Sequence, residues 1–130
     1  MEIYNLKVVN SKIQINDSIQ TIVGIESSLT GEINTESSIR IEGHFSGKIN
    51  SQGEVFIGSK SKVKADINAM RLVVSGELEG DVEVLDSIEI FSNGRLKGNI
   101  SGKKLIVNEG AIFLGKVNMN LISPGKIKEA

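Results

Sequence analysis

The sequence has no cysteine and no tryptophan, and it has one proline and one histidine among 130 residues. Without cysteine, disulfides, thiolate catalysis and thiolate metal sites are excluded. Lys and Arg (15) nearly balance Asp and Glu (16), so no strong net field points to nucleic acid or to an acidic membrane. No apolar run reaches the roughly 18 residues of a membrane span, and no signal-peptide pattern is present. We therefore expect a soluble, cytoplasmic protein that does not bind nucleic acid.

Branched aliphatic residues supply most of the apolar content. Ile (19), Val (11) and Leu (9) far outnumber the five Phe and Tyr residues. β-Branched side chains favour pleated strands, and a chain of this length fits one domain with its own core. The composition thus predicts a single all-β domain.

A five-residue string of the order apolar, any, small, polar, apolar recurs six times. Successive strings begin at slightly unequal intervals, with a mean period of about 17 residues. Each string except the last is followed, a few positions later, by two apolar residues at the strand spacing of two. The six strings are Leu29–Ile33, Phe45–Ile49, Val63–Ile67, Leu78–Val82, Leu96–Ile100 and Phe113–Val117.

A repeat this short cannot bury its own apolar face, so it must stack on a neighbouring repeat. We predict a parallel β-helix (β-solenoid) of about six coils, with the apolar positions forming inward ladders. A sandwich would need several hairpin turns, and only Asn93-Gly94 has that signature. The third string has Ala65 where the others have glycine, so we expect this inward position to need a small side chain rather than a left-handed backbone.

Stacking in this register predicts charged rows on the outside of the coils. Glu32, Lys48 and Asp66 should be neighbours on one row, and Lys64, Glu79 and Lys97 on another. Alternating charges of this kind stabilise one register over a slipped one. These residues are expected to form a solvated face.

Apolar residues in outward or end positions predict contacts with other chains. Phe56 and Val73 should be adjacent and exposed, which would suit a lateral contact. The last coil carries Ile112, Phe113 and an outward Leu114 at an end that looks uncapped, and such an end is a template for stacking on a second copy.

Residues 1–20 lie outside the repeat and are expected to form a tail or a capping segment. Strands are expected at residues 3–9 and 12–16. The alternative is a mobile tail that contacts a membrane through Ile3, Tyr4 and Leu6, although a single lysine in this stretch gives little electrostatic support.

Several motifs resemble the bactofilin family over residues 21–119: the strings above, Thr21–Gly24, Ser28–Ile33, Ser38–Gly43 and the closing Glu109–Lys116. The resemblance implies a right-handed, three-sided β-helix that polymerises end to end, without nucleotide, into bacterial cytoskeletal filaments. It also implies a scaffold that serves cell shape and localises cell-wall enzymes at the inner membrane. The apolar end coils of the family map onto Ile22, Val23, Leu29, Ile112, Phe113 and Val117. Residues 120–130 then form a short C-terminal tail.

The main alternative is a trimeric β-helix acyltransferase, because several apolar pairs lie six positions apart. Those enzymes resemble strict hexapeptide arrays, whereas the unequal intervals between the strings here would break such a frame. They also use a histidine as general base, and His44 lies at an expected corner, where an exposed turn residue is the ordinary interpretation. With no phosphate-binding Gly-x-x-x-x-Gly-Lys loop and no paired carboxylates, we predict no enzyme activity, no cofactor and no metal.

Overall fold

A computed structural model describes the backbone of residues 7–15, 21–23, 28–122 and 126–128, and the side chains of residues 28–119. All regular elements in these ranges are β-strands, so the all-β prediction is confirmed. In chain order they are β1 (Lys7–Ile15), β2 (Thr21–Val23), β3 (Ser28–Thr35), β4 (Ile39–Ile41), β5 (His44–Ser51), β6 (Glu54–Ile57), β7 (Lys62–Val74), β8 (Glu77–Glu79), β9 (Val82–Ile90), β10 (Arg95–Lys97), β11 (Ile100–Val107), β12 (Ile112–Leu114), β13 (Val117–Ile122) and β14 (Lys126–Lys128).

The strands wind into a parallel β-helix with three sides, which we call A, B and C. Every strand pair between the described residues is parallel, and the register joins equivalent positions of successive repeats. Side A has the inward ladder Leu29, Phe45, Val63, Leu78, Leu96 and Phe113. Side B has Ile33, Ile49, Ile67, Val82, Ile100 and Val117. Side C has two ladders, which begin at Ile39 and Ile41 and end at Leu105 and Val107.

The inward ladders form one continuous core. Almost every ladder position between Leu29 and Phe113 is buried, and the core residues form a single cluster. Five coils are complete on all three sides, and further strands lie against both ends of this stack. The fold prediction is therefore confirmed, with a coil count close to the expected six.

The corner between sides A and B requires glycine for a reason that the sequence did not show. Gly31, Gly47, Gly80, Gly98 and Gly115 all have φ between +136° and +150°. A Cβ atom on Gly98, for example, would overlap the carbonyl oxygen of Gly80 in the preceding coil. The expectation of a merely small, inward-facing residue was wrong for these five positions, because the backbone is in a region that side chains rarely adopt. Ala65 is buried and has no positive φ.

Short polar side chains satisfy backbone groups at the other corners. Ser61 is buried, and its hydroxyl donates to the carbonyl oxygen of Ile41 over 2.5 Å. Ser51 donates to the Ser37 carbonyl over 2.8 Å and accepts from the Gly53 N–H over 3.0 Å. Asn93, with φ of 71°, turns the chain between parallel coils rather than in a hairpin. These bonds compensate the backbone groups that the corners remove from the strand ladders.

Strands from both termini add to the stack. β1 pairs with β3, with a register irregularity between Val8 and Ser11, and β2 pairs with β4. At the other end, β14 pairs with β12, and Ile127 lies opposite Phe113. The domain boundaries proposed above are not decided by these pairings and stay predictions.

Candidate assembly surfaces

The single histidine lies at an exposed strand position. His44 is exposed at the first position of β5, and in the register it lies between Ser28 and Lys62. Within the part of the chain that the structure describes, no three His, Asp or Glu side chains are grouped to hold a metal ion. The arrangement around His44 therefore offers no carboxylate in its strand register to orient an imidazole as a general base.

The predicted end residues occupy three different environments. Leu29 and Phe113 lie in the core, with Phe113 0% exposed and strand β14 beyond it. Val117 is partly buried and packs against the core. Ile112 and Leu114 are each 38% exposed on the outside of side A, so they lie on the flank of the coil stack. Ile22 and Val23 are in β2, and their side chains lie outside the described residues.

The predicted lateral pair is less exposed than expected. Phe56 is partly buried, and the guanidinium carbon of Arg40 lies 4.7 Å from the centre of its ring. Val73 is only 8% exposed, so the prediction that it is exposed was wrong. Arg40, in the same outward column, is itself exposed, so burial differs from coil to coil on side C. The lateral contact itself stays a prediction.

The charged rows have the predicted register. Glu32, Lys48 and Asp66 are successive partners, as are Lys64, Glu79 and Lys97. The ion pairs within 4.0 Å among residues 28–119 lie elsewhere, on side C and its adjoining corner: Arg40 with Glu42, and Arg71 with Glu54 and Asp86. All of these side chains are partly exposed, so each pair contributes little to stability.

Side B carries two polar ladders, of which the asparagine ladder was not predicted from the sequence. Asn50 donates to Asn34 over 2.8 Å, and Asn68 donates to Asn50 over 3.0 Å. In the row beside them, Asp66 accepts the Asp81 backbone N–H over 3.1 Å, and Asp81 accepts that of Asn99 over 3.3 Å. Equivalent residues at the repeat spacing were the available signal. These bonds link successive coils and engage the side B carboxylates.

The repeated sequence that builds this architecture is similar to known proteins. The model of a polymer-forming cytoskeletal family, the bactofilins, matches residues 21–118. The chain belongs to the bactofilin family. Two bactofilins of Myxococcus xanthus (strain DK1622) are similar to it. BacP is 26% identical over 107 residues, which are 82% of this chain and 45% of BacP. BacO is 27% identical over 101 residues, which are 78% of this chain and 80% of BacO. The chain thus spans less than half the length of BacP. No solved structure matches it significantly.

This bactofilin also exposes apolar side chains that were not predicted as outward positions. Leu85 is 69% exposed, and Met70 and Phe91 are exposed as well. Met70 and Leu85 lie in neighbouring coils, where the pairing of β7 with β9 shifts register between Ala69 and Arg71. In β7 the inward positions change parity between Ala69 and Leu72, so periodicity could not assign Met70, whereas Leu85 keeps the outward parity of β9.

Residues proposed for membrane contact, Ile3, Tyr4 and Leu6, lie outside the described residues. Across the ranges that the structure does describe, this bactofilin has no helix of sufficient length and apolarity to cross a bilayer.

Proposed function

We propose that this bactofilin is a nonenzymatic cytoskeletal protein whose subunits join end to end into filaments without nucleotide. The filaments act in the cytoplasm, at the inner face of the cytoplasmic membrane, as a scaffold for cell shape and for the placement of cell-wall enzymes. Membership of a polymer-forming cytoskeletal family supports self-association. The membrane position and the enzyme partners follow from the family resemblance.

The open ends of the coil stack are the observation that carries this proposal. Among the described residues, β1 pairs only with β3, and β14 pairs only with β12. Each of these outer strands therefore has one backbone edge for which the described ranges contain no strand partner. An unpaired edge is a template for another strand, and a second copy offers one with the same spacing. Stacking of the end coils of two subunits would continue the strand ladder across the contact, with the two edge strands either parallel or antiparallel to each other.

The apolar cross-section of the coil stack supplies the energy for such a contact. Burial contributes about 25 cal/mol per Å² of apolar surface, against several kcal/mol for association. The net free energy of association is small enough that one charged residue at an end can prevent assembly. The flanks of the coils, with their charged and amide rows, remain soluble.

Charged substitutions in the end strands test the proposal. Ile13 in β1 lies opposite Ile33, and Ile127 in β14 lies opposite Phe113. We expect Ile13→Lys and Ile127→Lys to abolish filaments in negative-stain electron microscopy, while the far-UV spectrum and cooperative melting are retained. Phe113 is a poorer probe because a charge there would enter the core and destabilise the fold.

Leu85→Lys is the matched control, since it makes the same kind of change on the most exposed flank residue. It should form filaments like the unmodified chain, in buffer without nucleotide or metal. Filaments that persist in both end variants would overturn the assignment of the ends. Discrete trimers in every variant would instead favour the acyltransferase-like alternative.

A further inference from the structure

A cluster of cations and aliphatic side chains lies on the outside of side A. β8, β10 and β12 are stacked there as Glu-Leu-Glu, Arg-Leu-Lys and Ile-Phe-Leu, and the middle residue of each points inward. The outward residues Arg95 and Lys97 pair in register with Ile112 and Leu114. We call Arg95, Lys97, Ile112 and Leu114 the basic-aliphatic patch.

The cations of this patch form no close ion pair within the described part of the subunit. Arg95 and Lys97 are exposed, and neither has a carboxylate within 4.0 Å among residues 28–119, although Glu77 and Glu79 are their register neighbours in β8. Beyond the patch, lysines 126 and 128 occupy the register positions next to Ile112 and Leu114. Two aliphatic residues are therefore flanked on both sides by rows that carry lysine or arginine. This composition favours an anionic partner with an apolar interior.

A second copy of the chain is a poor counterpart for the patch. Side B carries Asp66 and Asp81 in one row, but both carboxylates already accept backbone N–H bonds there. The same row ends in Asn99 and Lys116, so it presents no carboxylate at the last two coils.

We propose that the basic-aliphatic patch docks side A of the filament onto an anionic lipid surface. Lys and Arg would contact the lipid phosphates, while Ile112 and Leu114 would enter the headgroup boundary. A single patch is small, but end-to-end assembly repeats it along one line of the filament, and a bilayer is a continuous partner that can engage every copy at once. The strength of binding thus rests on the proposed filament, whereas the choice of side A does not.

Serine substitutions that copy earlier coils provide the test. In the same columns as Ile112 and Leu114, the chain already has Ser28 and Ser46. We expect the chain to float with vesicles of phosphatidylcholine and phosphatidylglycerol but not with phosphatidylcholine alone. Ile112→Ser with Leu114→Ser should lower the bound fraction about tenfold, as should Arg95→Ser with Lys97→Ser, without loss of filaments in electron microscopy.

Control variants distinguish the basic-aliphatic patch from other surfaces of the chain. Leu85→Ser, which removes an exposed apolar residue at another corner, should bind like the unmodified chain. Flotation that survives both patch variants, but is lost when Ile3, Tyr4 and Leu6 are changed to serine, would overturn the proposal in favour of the N-terminal segment. Binding to polyglutamate but not to vesicles would overturn the lipid assignment. If the unmodified chain forms no filaments in electron microscopy but still floats through the patch, the patch is supported and the proposed filament is contradicted.

Discussion

At the scale of single residues, the glycines between sides A and B are the most restrictive positions of the coil. Their positive φ and the carbonyl oxygen of the preceding coil exclude a side chain. At each such glycine the chain turns from side A to side B. The preceding coil lies so close there that only a hydrogen atom fits in place of a side chain. The glycine recurrence in the sequence thus reports backbone geometry and close approach between coils.

Replacement of one corner glycine should be costly. Gly98→Ala places a methyl group against the Gly80 carbonyl and forces alanine to φ of +142°. We expect a loss of about 3 kcal/mol in the free energy of unfolding, measured by denaturant titration. Ala65→Gly is the control in the same column, and it should cost about 1 kcal/mol because it removes one buried methyl group. Equal losses in the two variants would contradict the backbone explanation.

At the scale of elements, the coils are linked by ladders of equivalent side chains as well as by the strands. On side B, the amides of Asn34, Asn50 and Asn68 form a chain of hydrogen bonds across three coils. Asn50 is the central member, and its amide also lies 3.3 Å from a carboxylate oxygen of Glu32. A ladder of this kind holds successive strands in one register, because a slip by a single position would separate all of its members.

The position of each asparagine in the ladder should determine its contribution. Asn50→Ala removes bonds to both neighbours, so we expect a loss of about 2 kcal/mol in unfolding free energy. Asn68→Ala removes one described bond, to Asn50, and should cost about 1 kcal/mol. Thermal or denaturant unfolding of the two variants checks the difference. A larger loss for Asn68 than for Asn50 would show that the ladder is not the cause.

At the scale of the whole molecule, stability is distributed along one axis. Each coil contacts the coils before and after it, and the core cluster runs without interruption from Leu29 to Phe113. In such a stack, inner coils have two neighbours, whereas the outer strands have one. The two ends of the stack, whose outer strands have only one neighbour in the free subunit, are the surfaces proposed to join in the filament.

Hydrogen exchange should show this gradient directly. In unassembled protein, we expect the slowest amide exchange in β5, β7 and β9, and the fastest in β1 and β14. Assembly should slow exchange in the outer strands and leave the central strands unchanged. Mass spectrometry of the two states measures both effects. Added protection confined to side C, around Phe56 and Val73, would indicate lateral rather than end-to-end contact.

What the sequence determined by itself is the repeated part of the molecule. The spacing of two within strands and the regular recurrence of the strings were sufficient for a parallel β-helix, its inward ladders and the register of Glu32, Lys48 and Asp66. This information is local, because every coil repeats the same pattern and each register follows from the one before it.

Only the tertiary structure decided where the repeat is interrupted or covered. Pairing of β14 with β12 placed a further strand beyond Phe113, at an end that the sequence had suggested was uncapped. A change of parity in β7 exposed Met70, and neighbouring coils buried Val73. The glycine corners depended on a carbonyl group contributed by the preceding coil, one full repeat earlier in the chain. These features arise from contacts between residues distant in the chain, which a periodic pattern does not encode.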